Sequence, residues 1–331
     1  MPITDPKNVH VNQPLTDLSI AHFDTEIVNY VGPRIAPLVR LRKLSDLYYL
    51  FDQGDLTRIV MALRASGAEA DMGGYDLSTA AVTLERFALG KPTGNDEIGN
   101  QDEVLDLETA DMNYLIMQWL MRMDERCAAR LVAPLLWTGS FTGADLTPAT
   151  VAGGLAWDNA NATPVRDIHR EVQSIKRRTL AKLNKQNFKL VLGERVWSAL
   201  RENADIEAKF VGVQVGIVNE KMVAQACDIG EVIVADTMQN TGMEGAANVP
   251  TDMFTGNDAL LLYVEPNPGK GKFSGAYTFV GGHRPELSPL GHWIKTYEDE
   301  KADAHVTEIN AYFRHVQVSA MGGAYFDGIV T

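Results

Sequence analysis

Residues 188–206, FKLVLGERVWSALRENADI, run an apolar segment into Gly193 and follow it with a helix-compatible stretch. That order can present a phosphate to the N-terminal amides of a helix. A dinucleotide site needs three glycines at GxGxxG spacing, so that the turn is tight and the backbone can approach the pyrophosphate. Here Gly193 stands alone, and Glu194 would set a carboxylate where the phosphate belongs. The stretch therefore reads as a strand–helix corner packed by Val196, Trp197 and Leu200. A second near miss is PGKGKF at 268–273. The phosphate-loop pattern GxxxxGK[ST] would need a glycine at Pro266 and a hydroxyl at Phe273. A basic turn between two strands is expected there instead.

The seven histidines stand at 10, 22, 169, 283, 292, 305 and 315. None lies in an HExxH or comparable ligand spacing. His305 and His315, ten apart in a presumed strand, would lie roughly 33 Å apart and could not share a metal within one chain. Cys127 and Cys227 are too far apart in sequence for a CxxC pair, and each reads as a small buried hydrophobe. No GxSxG elbow occurs. The residues thus predict no catalytic group, no cofactor and no metal. One local charge feature remains: IKRRTLAKLNK, 175–185, sets Lys176, Arg177, Arg178, Lys182 and Lys185 off the apolar line of a helix. They are expected to form an exposed basic face, either solvated or in contact with an acidic neighbouring subunit or enclosed nucleic acid.

Composition narrows the class further. With 331 residues, 45% hydrophobic and 22% charged, the chain can bury a real core. A net charge of −13 argues against a protein that grips DNA by its phosphates. Low cysteine use suits a reducing compartment. The first residues, MPITDPKNVHVNQPL, lack the basic start and apolar core of a secretion signal, and no run of about 18 apolar residues predicts a membrane span.

The elements that would position any site follow from periodicity. Residues 1–40 carry five prolines and scattered apolar residues, and read as an arm that cannot bury much of itself. LSDLYYLFDQGDL and STAAVTLERFALGKP predict two strands of an extended hairpin with a long polar tip. The apolar parity of the second strand shifts from Val82 and Leu84 to Phe87 and Leu89, which suggests a bulge or strong twist. Over 107–133 apolar residues recur at three and four, acidic residues crowd the start, Arg126 and Arg130 lie near the end, and Pro134 stops the pattern. This predicts a helix roughly 40 Å long. A second amphipathic helix is expected from Thr163-Pro164, along Val165, Ile168, Val172, Ile175 and Leu183. Strands at 188–192, 231–236, 258–264 and 275–280 alternate with helices at 194–202 and 219–227. The tail is β-rich; its long middle segment shifts parity between Phe313 and Val316.

The order of these parts resembles the major capsid proteins of tailed bacteriophages, the Hong Kong 97-like fold. HVNQPLTDLSIAHF looks like that family's N-terminal arm, and VGPRIAPLVRLRKLSDLYYLFDQGDLTR like the start of its extended loop. TAAVTLERFALGKP looks like the returning strand, and DLETADMNYLIMQWLMRMDERCAARLV takes the place of its spine helix. FKLVLGERVWSALRENADI, VGIVNEKMVAQACDIGEVIVADT and NDALLLYV look like its axial domain, and TYEDEKADAHVTEINAYF like the closing strand of its peripheral domain.

The resemblance implies an α+β chain with an arm at 1–40 and an extended loop at 41–95. A peripheral domain would comprise 96–160 and 285–331, with its spine near 107–133, and an axial domain 161–284. It implies a non-enzymatic structural protein of a virion, made in the host bacterial cytoplasm. Hexamers and pentamers would build an icosahedral shell around double-stranded DNA. Its partners would be a separate scaffold protein, a portal and a decoration protein, with no membrane and no covalent cross-link between subunits. The alternatives are an encapsulin-like nanocompartment shell and, further off, a soluble α/β enzyme.

Overall fold

The structure, a computed structural model, describes residues 24–51, 53–67, 69–100, 107–142, 145–146, 156–210, 218–254, 256–269, 271–281, 288 and 291–330. Helix α1 (Gly32–Ile35) and strand β1 (Leu38–Leu41) open the body. Strands β2 (Ser45–Phe51) and β3 (Leu77–Thr83) form a hairpin with helix α2 (Gln53–Thr57) in its tip. Strand β4 (Glu85–Gly94), helix α3 (Asn95–Gly99), the long helix α4 (Leu107–Leu131) and strand β5 (Gly139–Thr142) follow. Helix α5 (Pro164–Thr179) leads to β6 (Phe188–Gly193), α6 (Glu194–Arg201), α7 (Ala204–Lys209), α8 (Glu220–Ala226) and β7 (Glu231–Ala235). A small hairpin of β8 (Met238–Asn240) and β9 (Pro250–Asp252) precedes β10 (Ala259–Tyr263) and β11 (Ala276–Gly281). Strands β12 (His292–Asp299), β13 (Ala304–Gln317) and β14 (Gly323–Asp327) end the chain.

One five-stranded sheet runs β5-β14-β10-β6-β7. Its inner strands β14, β10 and β6 are buried at nearly every position because both faces are covered. Leu190, Leu192, Ala259 and Leu261 point to one core with Ile168, Ile175, Val196 and Val223 of the helices. Val191, Ile233, Leu260 and Leu262 point to the other, against Val31 and Ile35 of the entering chain and Cys127 and Leu131 of α4. The second sheet runs β1-β11-β13-β12, with β4 on the far side of β13. Ile309, Ala311 and Phe313 face Leu115, Trp119, Leu120 and Met123 of α4. On the opposite face Tyr277, Phe279, Trp293 and Tyr312 gather with Val82 and Leu84. The 25-residue α4 thus lies along one sheet and inserts its last turns beneath the other, which makes it the spine of the molecule.

Asp124 fixes that spine. It is fully buried on α4 and accepts hydrogen bonds from the amides of Val31 (3.0 Å) and Gly32 (2.7 Å) and from Thr237 Oγ1 (3.0 Å). The four-residue α1 has free amides at its start, and this carboxylate supplies their acceptor. Burial pushes the Asp124 carboxyl up, against those hydrogen bonds. A Cβ at Gly32 would stand 3.1 Å from Asp124 Oδ1, so glycine permits the close approach.

The structure corrects several expectations. The parity shift near residue 84 is neither a bulge nor a twist within one sheet. The chain changes sheets at Leu84: β3 pairs with β2, and β4 pairs with β13. The Leu84 amide still bonds the Leu44 carbonyl at 2.8 Å, so the handover takes a single residue. The shift in β13 arises because His315 occupies an α4-facing position while Val316 packs on the opposite face. Of the arm expected at 1–40, residues 1–23 lie outside the described residues, whereas Tyr30, Val31, Ile35 and Ala36 are core and β1 pairs with β11. Strand pairing also cuts across the expected domain limits. Strand β11, expected in the axial part, joins β13, while β5 and β14, expected in the peripheral part, join β10 and β6. Helices α1, α2, α3 and α7, strands β1 and β5 and the β8–β9 hairpin were not legible in the sequence as elements.

Candidate assembly surfaces

The β2–β3 hairpin has a packed face and a bare one. In its register Leu47 lies opposite Ala81, Tyr49 opposite Thr79 and Phe51 opposite Leu77. On the other face Tyr48 stacks on Phe279 at 5.6 Å, and Val82 is buried, so the base of the hairpin rests on the second sheet. On the bare face Leu47, Tyr49 and Phe51 are 60%, 61% and 42% exposed, and the Phe51 ring lies 5.9 Å from that of Tyr75. Beyond it Leu56, Ile59, Val60, Met61 and Leu63 are exposed in the tip. A two-stranded hairpin is at best marginally stable in water by itself. Covering the half of a Leu or Phe side chain that is still exposed contributes about 1 kcal/mol, so this face favours association. Both strands are legible in the sequence; which alternation is left bare is not. The signal for an apolar face is the alternation Leu47, Tyr49, Phe51 itself.

The five basic residues do not form one exposed face. Arg178 turns inward: its guanidinium pairs with buried Glu171 at 2.7 Å and donates to the carbonyls of Met321 (3.0 Å) and Gly323 (2.8 Å). Burial pushes the Glu171 carboxyl up, and Arg178 opposes that shift. Lys185 forms an ion pair with Asp228, which holds the Asp228 carboxyl below the usual range. Lys176 is partly buried, its Nζ 5.9 Å from the Phe188 ring centroid, and burial lowers its pKa. Arg177, Lys182 and Lys185 are exposed. The apolar line of α5 sets its inward face, and Arg178 joins it because its long stem reaches the carbonyls past the helix end.

At the opening corner, the Gly193 amide donates to the Asp258 carbonyl (3.0 Å), and the Val196 amide lies 3.3 Å from the Gly256 carbonyl. The 256–258 turn therefore occupies the start of α6, with Val196 and Leu200 in the core. In the 268–273 turn Lys272 pairs with Glu265 at 3.6 Å. His10, His22 and His283 lie outside the described residues. His315 is buried, with Nε2 3.1 Å from the Met123 carbonyl and Nδ1 2.7 Å from Thr278 Oγ1. Burial lowers its pKa to about 4. His292 stands 4.2 Å from the Trp119 ring. Among the described residues no three His, Cys, Asp or Glu side chains gather as metal ligands, and no helix is long and apolar enough to cross a membrane.

No protein-family model and no curated protein matches the sequence. Solved structures match it over almost its whole length. A phage-related protein from Bordetella bronchiseptica RB50 superposes with a TM-score of 0.67 at 16% identity, over 92% of this chain and 94% of that one. The capsid of an empty GTA particle gives 0.55 at 13% identity, over 93% and 91%. The holo-SrpI encapsulin complex from Synechococcus elongatus PCC 7942 gives 0.52 at 10% identity, over 97% of each chain. The spine helix, the two sheets and the projecting hairpin are thus the α+β fold of tailed-phage capsid proteins, shared across nine-tenths of the chain.

Proposed function

We propose that the chain is the major capsid protein of a tailed bacteriophage. Its copies assemble into the icosahedral head shell, as hexamers and pentamers, around double-stranded DNA. The observation that carries this reading is the bare apolar face of the hairpin, Leu47, Tyr49 and Phe51, on a fold found in capsid shells. A neighbouring copy is the natural cover, since every copy carries the same face and a lattice repeats each contact. The net charge of −13 suits a wall that holds DNA without gripping it. A separate scaffold protein, a portal and a decoration protein complete the reading, which assigns the chain no catalysis and places it in the virion after synthesis in the host bacterial cytoplasm.

The likeness to an encapsulin supports a second reading, a nanocompartment shell that encloses protein cargo. Particle size and contents separate the two. The shared core of both readings is tested by replacing Leu47, Tyr49 and Phe51 with serine together. The subunit should keep its unfolding midpoint and lose assembly in sedimentation velocity. Shells indistinguishable from the parent's would refute the hairpin as the cohesive element.

A further inference from the structure

His315 stands where β13, β11, α4 and the entering chain meet, and it is 1% exposed. Its Nε2 lies 3.1 Å from the Met123 carbonyl of α4, and its Nδ1 lies 2.7 Å from Thr278 Oγ1 of β11. The Thr278 hydroxyl donates in turn to the carbonyl of Ala36, just after α1, at 2.9 Å. A single run of polar contacts thus ties the spine helix to the chain that enters beneath it. Each of the three contacts needs one hydrogen. A carbonyl supplies none, a hydroxyl one and a neutral imidazole one. With His315 neutral the run is one proton short. The imidazolium, with a hydrogen on both nitrogens, completes it.

The surroundings decide which contact stays unfilled. Among the described residues the Thr278 hydroxyl is the one donor to the buried Ala36 carbonyl. Leaving that carbonyl bare would cost its full desolvation. Met123 and Cys127 both lie inside α4, so the Met123 carbonyl already takes an amide from the next turn. The hydroxyl is therefore committed to Ala36, its oxygen accepts Nδ1–H, and Nε2 is the nitrogen left without a hydrogen. Arg126 and Arg130 of α4 and Glu85 of β4 act on the ring, and both guanidiniums pair with Glu85. Asp124 flanks it across Gly32, where a Cβ would stand 3.1 Å from Asp124 Oδ1 and 3.6 Å from His315 Cε1. The Arg34 of α1 turns away to Glu231, and β11 presents the uncharged Thr278. Burial lowers the pKa of the ring to about 4, so the missing proton enters in acid.

We propose that His315 is a proton-operated latch on the spine helix. In its neutral form it donates Nδ1–H to Thr278 and merely abuts α4. In its protonated form it also donates Nε2–H to the Met123 carbonyl and binds β13 to α4. The joint where the entering chain, the spine and the second sheet meet thereby senses acid. The device lies within one folded chain, so it stands or falls apart from the shell reading.

NMR of the intact protein with isotope-labelled histidine reads both ring nitrogens, and His315→Gln identifies which signals belong to this ring. At neutral pH His315 should show a hydrogen on Nδ1 and none on Nε2, and acid should bring one to Nε2. The opposite tautomer at neutral pH would overturn the proposal. Thr278→Val removes the acceptor for Nδ1–H, so the neutral ring should move its hydrogen to Nε2. Thr278→Ser keeps the hydroxyl and should keep the hydrogen on Nδ1. A valine variant that retains the Nδ1 hydrogen, or a serine variant that loses it, would equally overturn the latch. If the valine variant does not fold, the parent and the serine variant still decide the question.

Discussion

Arg177 and Arg178 are adjacent in sequence and opposite in role. Removing Arg178 leaves the buried Glu171 carboxylate without its cation and frees two carbonyls of the 321–323 segment. Losing one partner of a buried pair costs about 3 kcal/mol or more. Arg178→Ala should therefore lower the urea unfolding midpoint strongly, whereas exposed Arg177→Ala should leave it within error. Equal small effects would contradict the inward role. His315 sets a pH dependence. Its folded pKa of about 4 lies below the ordinary histidine value, so the unfolded chain takes up the proton first as pH falls. Stability from this group is full above about pH 6.5 and is lost towards pH 4, by up to roughly 3 kcal/mol. His315→Gln should flatten that slope in unfolding curves taken between these limits; an unchanged slope would exclude His315 as its source. Neither role was legible in the sequence. Arg178 shares its residue type with solvated neighbours, and His315 stands where the strand alternation calls for an apolar side chain.

At the scale of elements, the periodic pieces were legible and their partners were not. The spacing of Leu115, Trp119, Leu120, Met123, Cys127 and Leu131 gave α4 almost to its limits, because one strong apolar stripe over 25 residues admits no other structure. The chain through Leu84 reads as one strand because sequence records direction and not pairing. Likewise β5 and β14 are short, and only the sheet between them shows that they belong beside β10. Asp124 joins α1, α4 and Thr237 across a sequence gap that no local pattern spans. Asp124→Ala orphans two buried amides, each worth about 1–3 kcal/mol. It should destabilise the subunit by several-fold more than Asp96→Ala, on the exposed start of α3, as read by thermal unfolding. The hairpin is the opposite case. Replacing residues 53–76 by a two-residue Asn-Gly turn should spare the subunit's stability and abolish assembly, since Leu56, Ile59, Met61, Leu63 and Met72 of this segment are exposed in the isolated chain.

The whole molecule couples two well-covered sheets to one projecting element whose apolar face has no cover. Its α+β class and the order of its parts were legible from the sequence; the sheet membership was not, because long-range pairing carries no local signature. The proposed lattice of copies would cover the bare hairpin. Electron microscopy of the purified intact protein tests this most directly. The account predicts closed icosahedral shells of phage-head size, with the bare hairpin face covered by a neighbouring copy. Small cages filled with protein cargo would favour the nanocompartment, and a chain that stays monomeric at high concentration would contradict the account.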